Sequence, residues 1–115
     1  MAIKGEIVID SDCPGLKDAV VFVYLEDVSL ADAPANRIAS FKLTDVQHTA
    51  GQEDRVPFEL AAEPSDPRAS YIVRAHVTPH GGEDVQVGDL ITTEFTPVGP
   101  GRPAEGVKVR VRLVR

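Results

Sequence analysis

Residues 107–114 read VKVRVRLV, and residues 70–77 read SYIVRAHV. In the first stretch Val107, Val109, Val111 and Leu113 share one parity, and Lys108, Arg110 and Arg112 share the other. In the second, Tyr71, Val73, Ala75 and Val77 alternate with Ile72, Arg74 and His76. A period of two marks an extended strand with one face against a core and the other toward water. Both stretches are short and rich in β-branched residues, which favours a strand over a helix.

The same pattern extends outward in both directions. MAIKGEIVID (residues 1–10) sets Ile3, Ile7 and Ile9 against Lys4, Glu6 and Asp10, and SDCPG (11–15) is a turn. AVVFVYLEDV (19–28) is a strand with Val21, Val23 and Leu25 toward the core, which leaves Phe22 and Tyr24 facing outward with Glu26. LADAPAN turns around Pro34, and RIASFKLT (37–44) is a third strand whose face assignment stays open. In RVPFEL (55–60) Val56, Phe58 and Leu60 alternate inward, and Pro57, which has no amide proton for a ladder, places the strand at an edge or marks where it starts. EPSDPR (63–68) and Gly81-Gly82 are turns, GDLITTEF (88–95) is a strand, and a Pro- and Gly-rich connection runs over 97–106. No stretch repeats apolar residues at i, i+3 and i+4 between helix caps. About seven short strands separated by turns predict an all-β chain, a single antiparallel β-sandwich of immunoglobulin-like or transthyretin-like arrangement.

The 115 residues suit one domain spanning 1–115, and 43% hydrophobic with 26% charged residues suit a globular protein. No apolar run reaches the roughly 20 residues of a membrane helix, so no direct membrane insertion is expected. The net charge of −6 opposes nucleic acid as a partner. It is unevenly spread, with −10 over residues 1–101 and +4 over 102–115. The start of the chain carries no secretory pattern, so the sequence as written predicts a cytoplasmic protein. If Met1 instead stands in place of an excised leader and lipidated cysteine, a periplasmic or outer-membrane-associated protein is expected.

Three blocks in order, VYLEDVSLADAPANRIAS from Val23, VPFEL from Val56 and DPRASYIVRAHV from Asp66, give the chain a family likeness. It resembles the YbaY/YscW-type family of small bacterial envelope lipoproteins over approximately residues 3–97, most specifically in Leu-x-Asp-Val-Ser followed by Asp-Ala-Pro. The resemblance implies a β-sandwich domain and, from members that act as pilotins, a chaperone-like role in bringing a type III secretion secretin to the outer membrane. Cys13 follows Asp10, Ser11 and Asp12 where a lipobox has small and apolar residues, so lipid attachment is not expected there. The family more often looks polar at the positions of Phe22 and Tyr24.

No catalytic constellation stands out. Asp10, Asp12, Asp27 and Asp32 lack the spacing of a calcium loop and read as turn residues, with Asp27 and Ser29 tying down the turn after the second strand. His48, His76 and His80 have no ligand spacing and read as surface or turn histidines. Cys13, beside acidic residues, reads as an inert thiol. No Gly-x-Ser-x-Gly elbow, dinucleotide fingerprint or P-loop occurs.

The expected function is therefore non-catalytic protein binding or scaffolding, with no cofactor or metal and with a protein partner or self-association. An outward Phe22 and Tyr24 would centre the contact patch. Lys108, Arg110 and Arg112 form a second candidate, weighed against pairing with Glu6 or Asp10 across the sheet. The alternatives are a small-ligand or enzymatic domain with a loop-formed site, and a self-associating structural module.

Overall fold

In a computed structural model, residues 3–29, 36–61, 68–82, 84–92, 96–99 and 105–114 are described. The expected turns at Pro34 and over 63–68, Asp32, and the end of the strand at 88–95 lie partly or wholly outside these residues. Every regular element among the described residues is a strand: β1 (Ile3–Ile9), β2 (Leu16–Asp27), β3 (Asn36–His48), β4 (Asp54–Leu60), β5 (Tyr71–Thr78), β6 (Leu90–Thr92), β7 (Pro97–Val98) and β8 (Val107–Leu113).

The strands form one sheet in the order β3-β2-β5-β6-β8-β1-β4, with β7 pairing β5 to the side. β1 pairs β4 antiparallel and β8 parallel, from Gly5 opposite Val107 to Ile9 opposite Val111. The sheet is thus mixed, and it curls until β3 and β4 approach each other, nearly closing a barrel. This corrects the expectation of an antiparallel sandwich. Alternation tells which face of a strand is dry, and both a sandwich and a rolled sheet dry one face of every strand.

The core confirms the inward parities: Ile7, Ile9, Val21, Val23, Leu25, Val73, Val77, Val109 and Val111 are fully buried in one cluster. At about 25 cal/mol per Å² of apolar area, this shared interior supplies most of the drive to fold. β4 ends the sheet order as Pro57 predicts, with Pro57 opposite Glu6 of β1.

β3 explains why its face resisted reading. Its register against β2 slips between the pairs Leu25–Ala39 and Glu26–Arg37, which leaves Ile38 as an extra residue. Two further slips lie between Leu16 and Val21 of β2, and Asp18 and Asp45 adopt positive φ there, 54° and 58°. Such bulges shift the parity of one strand by a residue, and Asp tolerates the left-handed backbone better than most side chains.

Candidate functional site

The open seam between β3 and β4 is the first site to consider. Among the described residues β3 pairs only with β2, and β4 only with β1. A strand bonded on one side presents its remaining amides and carbonyls to a further strand. Over the first half of β3 the residues are exposed or half-buried, and Ala39, Phe41 and Leu43 lean against the core without being sealed by it. Ile38 at the bulge is 43% exposed, one of three large hydrophobic residues so placed among the described residues.

The far end of the seam is clamped shut. His48 Nδ1 lies 2.6 Å from Asp54 Oδ2, and His48 Nε2 lies 3.3 Å from the Cys13 carbonyl oxygen. The Thr49 amide also donates to Asp54 at 3.2 Å. His48 was expected at the surface or in a turn; it is buried at the end of β3, where β3, β4 and the β1–β2 turn meet.

Phe22 and Tyr24 face away from the barrel interior, as their parity predicts, but they are only 4% and 5% exposed. This removes the exposed aromatic patch from consideration. Phe22 stacks between Tyr24 and His76, with ring centroids 6.2 Å and 5.8 Å away. The Arg37 guanidinium lies 3.7 Å above the Tyr24 ring, and the Lys42 ammonium 5.8 Å from that of Phe22. The rings thus make a second, smaller packed layer on the outside of β2 and β5, roofed by basic side chains. Arg74 adds an ion pair with the buried Glu26, Nε to Oε1 at 3.0 Å.

His76 belongs to this layer and is likewise buried rather than on the surface. Its Nε2 lies 2.7 Å from Asp89 Oδ2, which also accepts from the Gln86 amide at 2.9 Å. Burial alone would raise the Asp89 carboxyl. The hydrogen bonds from His76, the Gln86 amide and Thr78, with the His76 charge, outweigh burial and hold it below the usual carboxylate range. His80 is exposed as expected.

The Leu-x-Asp-Val-Ser motif proves to be a latch. Asp27 Oδ1 accepts from the Ser29 amide at 2.9 Å and from the Ser29 hydroxyl, whose oxygen accepts from the Ser70 amide at 2.8 Å. The Val28 amide donates to the Ser70 carbonyl at 2.8 Å. The turn after β2 is tied to the start of β5, and the Ser29 hydroxyl and amide hold the Asp27 carboxyl below its ordinary value.

On β8, Lys108, Arg110 and Arg112 are exposed on the outer face, as read. Arg110 Nη1 donates to Asp10 Oδ1 at 2.8 Å, the cross-sheet pairing weighed for this row. Glu6 stands opposite Lys108 in register. Cys13 is buried, and burial, then the Asp12 charge, push its thiol up, which suits an inert group. Among the described residues no three His, Cys, Asp or Glu side chains gather as metal ligands would.

Comparison with known proteins then fixes the lineage. The family model for the type III secretion system lipoprotein chaperone YscW matches residues 1–98. The chain belongs to the YscW family. The match spans β1 to β7 and includes the latch, the β3 edge and the aromatic layer. A solved structure of an alternative pilotin from the type II secretion system of Vibrio cholerae is similar, with a TM-score of 0.66 and 28% identity. The similarity covers 97% of this YscW-family chain and 96% of that one. No curated protein matches the sequence. The family description is that of a lipoprotein chaperone, which does not support the cytoplasmic location predicted from the start of the chain.

Proposed function

We propose that the protein is a non-catalytic chaperone of the bacterial envelope that holds an extended segment of a secretion-system protein, a secretin first among candidates, along the β3 edge. The observation that carries this reading is the first half of β3: an unpaired edge among the described residues, with half-buried Ala39, Phe41 and Leu43 beneath it. A strand added there gains backbone hydrogen bonds for affinity and alternate side-chain contacts for selection. Membership in a chaperone family and likeness to a pilotin support a protein client over a small-molecule substrate. The lipoprotein character of the family supports a periplasmic or outer-membrane-associated location.

Hydrogen exchange with overlapping segments of the secretin from the same bacterium tests this. The expected result is slowed exchange over residues 36–44 with one segment and loss of that effect in Ile38→Lys, because an edge lysine opposes strand addition. Binding of a segment without protection in β3 overturns the edge as the site. Protection that grows with protein concentration alone overturns the client in favour of self-association.

A further inference from the structure

A groove of about 320 Å³ lies on the outer face of β4, β1 and β8. Val8, 3% exposed, forms its floor. Val8 stands opposite Arg55 of β4 on one side and Arg110 of β8 on the other, so two guanidinium groups flank one apolar residue on the same face. Lys108 lies two residues along β8 on that face, and Thr92, Thr96 and Pro97 complete the lining. Among the described residues three cations line the groove and no carboxylate does.

The charges are partly engaged and partly available. Arg110 gives Nη1 to Asp10, and Arg55 gives Nε and Nη2 to Glu53 at 3.4 Å and 3.3 Å. A guanidinium has five donors, so each keeps others, and their side chains are 49% and 45% exposed. Lys108 has no ion pair among the described residues, although Glu6 faces it across the ladder. Glu53, Asp10 and Glu6 thus balance the three cations one for one, so in a chain of net charge −6 the groove is locally neutral and offers an anion its unused guanidinium and ammonium donors.

We propose that this groove binds the acidic side chains of a client protein segment, with a carboxylate held between Arg55 and Arg110 above Val8. This rests on the reading that the protein holds a protein client, and adds the chemistry of a second contact, away from the β3 edge. Planar guanidinium groups and a carboxylate match in geometry. A segment seated in the groove meets the local cations. An anionic bilayer would instead lie against a whole face of a negatively charged molecule, well beyond a screening length of about 8 Å.

A fluorescent peptide rich in Glu, its Gln counterpart and phosphatidylglycerol vesicles serve as probes at low and moderate salt. The Glu peptide is expected to bind and the Gln peptide not. Arg55→Gln is expected to weaken binding about tenfold, and Lys108→Gln to weaken it as well. Lys17→Gln, which removes the same charge outside the groove, should leave it unchanged. These exposed substitutions are expected to keep the melting temperature of the wild type. Equal binding of the two peptides, equal loss in Lys17→Gln, or binding of the vesicles in preference to the peptide overturns the proposal. Ile38→Lys distinguishes the two readings: it should abolish protection at β3 and leave Glu-peptide binding intact.

Discussion

His48 and Asp54 face each other across the β3–β4 turn with Nδ1 and Oδ2 2.6 Å apart, and the other ring nitrogen reaches the Cys13 carbonyl. This part-buried contact joins two strands that pair with different partners. His48→Ala should cost about 1–3 kcal/mol, because it leaves a buried carbonyl without its partner and frees the end of the seam. Urea denaturation measures it; a loss below a few tenths of a kcal/mol would mean the turn holds the seam unaided.

Gly5 has Phe58 and Val107 opposite it on its two neighbouring strands. A Cβ at this position would collide with the Val107 carbonyl oxygen and come within 2.9 Å of Phe58 Cζ. The obstacle is backbone, which cannot swing aside as a side-chain tip does. Gly5→Ala should therefore destabilise by about 1–3 kcal/mol or more, read as a lower denaturation midpoint with an unchanged slope.

The Phe22→Ser, Tyr24→Ser double variant is expected to lose stability before it loses any partner. Both rings are buried in the outer layer, and truncating one such aromatic typically costs about 3–5 kcal/mol. A thermal melt indistinguishable from wild type would contradict the packing of Phe22 against His76.

Asp89 makes stability depend on acid. Its folded carboxyl titrates below its ordinary value of about 3.9, so its contribution is complete above that pH and fades as pH falls through the folded value. Asp89→Asn removes this group. The variant should be less stable at neutral pH and should show a shallower loss below about pH 4. Denaturation midpoints across that range decide it; parallel acid limbs would exclude Asp89 as a contributor.

How far these features were legible in the sequence depended on whether a side chain's fate followed from parity. Val73, Val109 and the inward positions of β2 did, because each strand dries one face by strict alternation. Phe22, Tyr24 and His76 did not: parity sets them outside the barrel, whereas Arg37 and Lys42 lie over the two rings and Asp89 bonds His76. The unbroken apolar run from Val20 to Leu25 was the available sign, since strands covered on both faces lose alternation. The bulges at Ile38 and Asp45 hid the faces of β3. Arg55 attracts no notice in sequence; only the register through Val8 sets it beside Arg110. The pairing of β1 with β8 likewise carries no local signal, because no hairpin turn announces it.

That pairing also orders events in time. Asp10, just past the end of β1, and Arg110 of β8 lie 100 residues apart in the chain, yet β1 and β8 are immediate neighbours. As the polypeptide is threaded out N-terminal side first, whether from a ribosome or through a translocation channel, β1 must wait with its parallel edge bare until β2 to β7 and then β8 have emerged. Contacts this distant form slowly, so the molecule completes its own architecture late and passes through a stage in which that edge needs shielding.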